Sequence, residues 1–240
     1  MKKLGRLLID AFFPKGFTCD LCGIEIFEGN LCEECLKTVV FNDGVTCPVC
    51  GRRTQRDELC LECKAHAPLY FGAFSPLVYE GGSIQLIAKF KNDGGYLKDY
   101  FAKLICDKIS NMNFDCIVYV PMTFNAERKR GYNQAEILAE SISENTGYPV
   151  IRKAITKIKD TKAQKSLAFK ERISNLKGCF KIEKPSELKD KSVLLVDDVL
   201  TTGATSETLC GLIMKAGAKS VWLATAASVE YKTEKQDNND

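Results

Sequence analysis

Four Cys-x-x-Cys pairs stand near the start of the chain: Cys19/Cys22, Cys32/Cys35, Cys47/Cys50 and Cys60/Cys63. The second half of this segment repeats the spacing of the first. Each half therefore offers four thiolates, which is the ligand set of one tetrahedral zinc ion. A tight turn lets two cysteines three apart face one ion, and a hairpin brings the second pair opposite. Gly23 and Gly51 each follow a pair, where a left-handed residue turns backbone amides toward the sulfurs. Few apolar residues lie between Cys19 and Cys63, so burial alone hardly folds this stretch, and metal binding supplies stabilisation on the order of 10 kcal/mol per site in small fingers. Sequential grouping, one ion per half, is the simpler partition; interleaved pairs are the alternative. Redox dithiols usually stand beside a βαβ pattern, which this segment lacks, whereas an iron–sulfur cluster is compatible with the same ligand type. Four ligands leave no vacant position, so the sites are read as structural. His66, the one histidine, follows the last cysteine by three and is read as a bystander. Cys106, Cys116, Cys179 and Cys210 lie in apolar or helical contexts and are read as core residues.

With 240 residues, the chain can bury one full core and carry a smaller appendage. A hydrophobic fraction of 45% and a charged fraction of 27% are ordinary for a water-soluble protein. The net charge of +3 implies no partner by itself. Leu4, Leu7, Leu8, Ala11 and Phe12 fall at helical spacing, interrupted by Arg6 and Asp10 and stopped by Pro14. That predicts a short amphipathic helix rather than an export signal. No apolar run reaches the roughly 20 residues of a membrane span. The expectation is a cytoplasmic chain with a cysteine module over 1–70, a larger domain over 71–230 and a polar tail over 231–240.

Further on, Val193–Val196 is a continuous apolar run of the kind buried on both faces of a parallel sheet. Asp197 and Asp198 are expected to end it. Val-Leu-Thr-Thr-Gly-Ala-Thr follows, then a helical pattern from about Ser206 to Lys215, then a strand over Val221–Ala226. The order strand, loop, helix, strand puts this loop at the carboxyl end of a strand, where open α/β sheets hold ligands. Its amides and the helix N-terminus make a phosphate cradle, with Thr201, Thr202 and Thr205 as further donors and Gly203 permitting close approach. Paired acids beside such a cradle repel an anion unless they grip sugar hydroxyls or approach Mg²⁺. A Walker loop is ruled out, since no lysine follows the glycine.

Upstream, Asp115–Met122 reads as another buried strand, followed by a basic loop carrying Arg128, Lys129 and Arg130 and a helix over roughly Gln134–Glu144. Val150–Ile155 reads as a strand. The lysine-rich stretch Thr156–Arg172 is long for an idle connection and suits a lid that excludes water. Residues 78–91 form the lead-in, with Ile84, Ile87 and Ala88 at helical spacing.

Val193–Thr205 resembles the thirteen-residue motif by which type I phosphoribosyltransferases bind 5-phosphoribosyl-1-diphosphate (PRPP). The resemblance implies an α/β fold with a central, mostly parallel sheet flanked by helices, beside a small N-terminal zinc-ribbon module. It also implies that Asp197 and Asp198, the catalytic acids, hold the ribose 2′- and 3′-hydroxyls. Thr201, Thr202, Gly203, Ala204 and Thr205 would take the 5′-phosphate, and Arg128 and Arg130 the diphosphate, with Mg²⁺ present. Together with the duplicated cysteines, Gly131-Tyr132-Asn133-Gln134 and the series Gln164, Leu167, Arg172, Asn175, Gly178 and Phe180, the motif is similar to the ComF family of competence proteins. Met122, Thr123, Phe124 and Asn125 depart from that family's usual Leu or His-Pro. The family likeness implies two structural zinc ions and PRPP, or a phosphoribosyl-containing nucleotide, as ligand. It further implies a role in handling single-stranded DNA during natural transformation, beside a helicase-type partner. Two readings stay open: a phosphoribosyltransferase that transfers from PRPP to a nitrogen acceptor, and a non-catalytic PRPP or nucleotide sensor. In the second, Arg52, Arg53, Arg56 and the lysines of 153–170 follow a phosphate backbone.

Overall fold

The computed structural model describes residues 18–92, 94–159 and 169–230. The N-terminal helix expected over Leu4–Phe12, most of the lid expected over Thr156–Arg172 and the tail lie outside these residues.

Two long parallel strands form the centre, β7 (Ser192–Leu200) and β8 (Ser220–Ser228), joined by helix α9 (Ala204–Lys215). Strand β4 (Cys116–Tyr119) pairs with β7 in parallel, Cys116 opposite Val193 and Tyr119 opposite Val196. On the other side β3 (Leu77–Gly81) runs parallel to β8, and β1 (Val39–Phe41) closes the edge antiparallel to β3. The short β2 (Gly72–Phe74) also pairs with β8 in parallel.

Alternation along β7 explains why its apolar run is unbroken. Val193 and Leu195 enter one core with Val221, Leu223, Cys116 and the α9 residues Leu209, Cys210 and Ile213. Leu194 and Val196 enter a second core on the opposite face. There they meet helices α3 (Gly82–Asn92), α4 (Lys98–Ile109) and α6 (Gln134–Thr146) through Phe90, Phe101, Ile105, Leu138 and Ile142. Both faces of the strand are thus removed from water, as parallel sheets require.

Several expectations are corrected. The acids do not end β7: the strand continues through them to Leu200, because β8 still pairs beyond, Asp197 with Thr225 and Leu200 with Ser228. The basic loop is a helix, α5 (Phe124–Arg130), started by the Thr123 hydroxyl accepting from the Ala126 amide at 3.4 Å and stopped by Gly131 at φ 93°. Val150–Ile155 is not a strand. Only Val150 bridges to Ile117, while β5 (Ile155–Lys157) pairs antiparallel with β6 (Phe180–Ile182). On α3 the core face is Ser83, Leu86, Ile87 and Phe90, whereas Ile84 and Ala88 are exposed. Cys116, Cys179 and Cys210 are buried as expected, and Cys106 is half-buried.

Candidate functional site

The cysteines fall into two groups along the chain, Cys19/Cys22/Cys32/Cys35 and Cys47/Cys50/Cys60/Cys63, with the sulfurs of each group within 4.8 Å of one another. Zinc at about 2.3 Å from each of four tetrahedral sulfurs would separate the sulfurs by about 3.8 Å. Cys22 and Cys32 stand 3.8 Å apart, and Cys50 and Cys60 3.6 Å. In each cluster a backbone amide points at a sulfur at 3.4 Å, but between different members of the repeat: Cys35 N–H to Cys32 Sγ in the first and Cys60 N–H to Cys47 Sγ in the second. Gly23 and Gly51 adopt φ of 76° and 64°, and each donates its amide back to the first cysteine of its pair. The donor set and spacing fit structural zinc in both clusters. The surroundings differ. The first cluster has one buried cysteine, whereas all four of the second are buried and belong to the core under β7 and α9.

Near the carboxyl end of β7, Asp197 Oδ1 accepts the Asp198 amide at 2.8 Å. Asp198 Oδ2 lies 3.0 Å from Lys91 Nζ, at the last turn of α3. Removal from water, and secondarily the Asp198 charge, push the Asp197 carboxyl up to about 7, against the pull of the Asp198 amide, Lys91 and Lys157. Such a displaced carboxyl near the end of a strand is a common property of ligand-handling sites. The loop beyond reaches Gly203, whose φ of 83° opens α9 with no side chain capping the helix. Thr201 is exposed, Thr202, Gly203 and Thr205 are partly covered, and Ala204 is buried.

Lys91 also links the acids to the basic helix. Its carbonyl accepts Gln134 Nε2 at 3.1 Å, and Gln134 Oε1 accepts Arg130 Nη1 at 2.7 Å. Arg130 is therefore held by the same residue that holds the end of α3. Arg128 sits in the last turn of α5, exposed. Asn133 caps α6 by accepting the Ala135 amide at 3.1 Å and donates Nδ2 to the Val120 carbonyl at 3.0 Å, which fixes the segment after β4. The Tyr132 hydroxyl donates to the Phe90 carbonyl. The Gly-Tyr-Asn-Gln stretch thus serves as scaffolding between α3, β4 and α6.

Lys91 and the positioning role of Gln134 were missed by sequence reasoning. Their only local signal, a basic residue near a helix end, is common. Arg52, grouped in the sequence with exposed cations, is corrected: it is 3% exposed and Nη2 donates to the Thr201 carbonyl, so it does not lie on an open surface. Arg53 likewise donates Nη2 to the Phe41 carbonyl. His66 faces Glu207 at 3.3 Å rather than either cysteine cluster.

The sequence matches the phosphoribosyl transferase domain over residues 95–240 and the double zinc ribbon domain over residues 8–64. The chain belongs to the phosphoribosyl transferase domain family and carries a double zinc ribbon. It is similar to competence protein F of Haemophilus influenzae, with 33% identity over 108 residues, 45% of this chain and 47% of that one. It is also similar to competence protein ComFC of Bacillus subtilis, with 32% identity over 124 residues, 52% and 45% of the two chains. DNA utilization protein YhgH of Escherichia coli K12 shares 33% over 107 residues, 45% and 46%. The chain spans about half the length of the curated relatives it matches. Among solved structures, it aligns with purine phosphoribosyltransferase from Pyrococcus horikoshii at 21% identity and a TM-score of 0.36, over 58% of this chain and 85% of that one. Adenine phosphoribosyltransferase from Thermoanaerobacter pseudethanolicus aligns at 14% identity and a TM-score of 0.37, over 56% and 82%. Among the described residues no helix is long and apolar enough to cross a membrane.

Proposed function

We propose that the chain is a ComF-type protein of DNA uptake whose β7–α9 corner binds PRPP. Asp197 and Asp198 hold the ribose hydroxyls, and Thr201–Thr205 hold the 5′-phosphate. The observation that carries this reading is the acid pair near the end of β7, with Lys91 3.0 Å from Asp198, followed after Val199 and Leu200 by a loop that opens α9 through a left-handed Gly203. Asp197 and Asp198 are the residues that would hold Mg²⁺, which would supply positive charge to offset the diphosphate. Arg130, anchored by Gln134, is the cation assigned to the diphosphate.

In the transfer reaction the bond from C1 of the ribose to the diphosphate oxygen breaks and a bond from C1 to the acceptor nitrogen forms. The nitrogen's proton passes to solvent and diphosphate departs. The chain's contribution is orientation and fixed charge rather than a protein nucleophile. Calorimetry with PRPP and Mg²⁺ tests binding: Asp197→Ala with Asp198→Ala is expected to weaken it about tenfold or more, as loss of charge-assisted hydrogen bonds does. Unchanged affinity in a folded double variant removes the assignment. Incubation with PRPP, Mg²⁺ and a panel of bases, with diphosphate release followed by mass spectrometry, separates an enzyme from a binding module.

The second reading, a non-catalytic adaptor for single-stranded DNA and a helicase-type partner, draws on the names of the DNA-utilization relatives and on the exposed Arg128, Lys129 and Arg130 at the end of α5. If those cations track a phosphate backbone, affinity for a single-stranded oligonucleotide falls steeply with salt, by a slope of about 0.7 per phosphate neutralised. A flat dependence counts against this mode.

A further inference from the structure

Arg52 belongs to the second zinc ribbon by sequence and to the phosphate loop by contact. It stands just after Cys50 and Gly51, and its carbonyl accepts the amide of Cys47 at 2.8 Å, closing the knuckle around the first ligand of that cluster. Its guanidinium runs the other way, donating Nη2 to the carbonyl of Thr201 and lying 3.9 Å from the position a Cβ on Gly203 would occupy. A buried guanidinium is costly unless it is held by acceptors, so this placement is a specific connection rather than a resting position.

The docking around it is equally directed. Gly51 packs so tightly that a Cβ there would lie 2.1 Å from the Ala73 carbonyl oxygen, and its own carbonyl accepts Asn42 Nδ2 at 2.8 Å. Beyond the last ligand, Glu207 in the first turn of α9 accepts the Leu69 amide at 3.0 Å and faces His66. A small cleft separates the two parts, lined by Arg52, His66, Tyr70, Thr202, Gly203 and Glu207. The first cluster docks elsewhere, through Lys89 Nζ donating to the Asp20 carbonyl at 2.7 Å.

We infer that Arg52 is a positioning residue for the loop Thr201–Thr205. Metal in the second ribbon, acting through it, holds that loop in the conformation that receives a phosphoribosyl ligand. The inference rests on the reading of the β7–α9 corner as a PRPP site. Its logic is mechanical: the knuckle sets where the Arg52 backbone lies, and the guanidinium sets where the Thr201 carbonyl lies. The amides that follow then share one orientation. Loss of the second metal frees the knuckle and, with it, the loop.

The test uses the full chain with Arg52→Met, which keeps the stem and removes the donors, and Arg52→Lys, which restores one cation. Zinc content by mass spectrometry is expected to match wild type in both. Amide exchange over residues 199–206 is expected to accelerate about tenfold in Arg52→Met, with Val193–Val196 unchanged, and PRPP affinity to fall about tenfold. Arg52→Lys should recover part of both. Unchanged exchange in Arg52→Met, or unchanged PRPP affinity where wild type binds, overturns the inference. Wild type that fails to bind PRPP retires the site reading, while the exchange measurement still decides the brace. If Arg52→Met does not fold, wild type titrated with a chelator decides. Loop exchange must then rise with loss of protection over Cys47–Cys63, not with loss over Cys19–Cys35, and a loop that stays protected overturns the inference.

Discussion

The Asp197 carboxyl carries a pH signature that follows from its surroundings. In the unfolded chain it ionises near 3.8, and in the fold burial and the Asp198 charge push it up to about 7. The folded state therefore holds a proton that the unfolded state has lost between those values. The stability that goes with the neutral acid is fully present below 3.8 and is lost as pH rises through about 7. Wild type should lose melting temperature relative to Asp197→Asn across that window, as followed by calorimetry; parallel curves would refute the assignment. Lys91→Met should move the midpoint upward, because the removed cation favours the carboxylate. A ligand or cation that prefers the carboxylate should bind more tightly as pH rises toward about 7 and should release a proton below it. Calorimetry in buffers of different ionisation heat reads that proton directly.

Among elements, the two knuckles offer a controlled comparison. Gly23 and Gly51 share a left-handed conformation and a position after a cysteine pair, but open space surrounds Gly23 while Gly51 abuts the backbone of β2. Gly23→Ala should cost about 1 kcal/mol from conformation alone. Gly51→Ala should cost about 3 kcal/mol or more, because the rigid Ala73 carbonyl must also move. Urea unfolding measures both, and equal costs would mean that the second knuckle is not docked as described. The same contrast shows what was legible in sequence. Strands β7 and β8 and helix α9 announce themselves, since a strand buried on both faces must be apolar throughout and its turn must carry special residues. The acids and threonines of the candidate site lie within that one stretch, so their adjacency was legible, whereas Lys91 and Arg52 reach them from other elements. Strands β1 and β2 have three residues each and take their order from partners, β1 from β3 and β2 from β8, so local pattern is silent about them. Arg52 and Thr201 are 149 positions apart, and Lys91 and Gln134 are 43 apart. Such pairings exist only once the sheet has brought the elements together, and a basic side chain by itself looks the same whether it faces solvent or a loop carbonyl.

Viewed across the whole molecule, the duplicated ribbons are not equivalent parts. Strand β1 lies between them and extends the main sheet, so the metal module is stitched into the larger fold rather than appended to it. The second cluster shares a core with Val193, Leu195, Leu209 and Ile213, while the first keeps Cys22 exposed and leaves Ile24 and Phe27 in solvent. Isolated fingers gain on the order of 10 kcal/mol from zinc, a gain that reaches the rest of a protein only as far as the finger shares contacts with it. Cys22→Ser and Cys60→Ser therefore separate the two roles. Each should lower zinc content relative to wild type, which mass spectrometry counts. Cys22→Ser should leave the main calorimetric transition within a few degrees of wild type, since a chain of this size shifts by about 2–4 °C per kcal/mol. Cys60→Ser should lower it by roughly 10 °C or broaden it, because a buried ligand set opens into the core beneath β7 and α9. Equal shifts would make the ribbons interchangeable struts, and a larger shift for Cys22→Ser would reverse the hierarchy in which the second ribbon, through the core it shares, supports the corner where the acids and the phosphate loop meet.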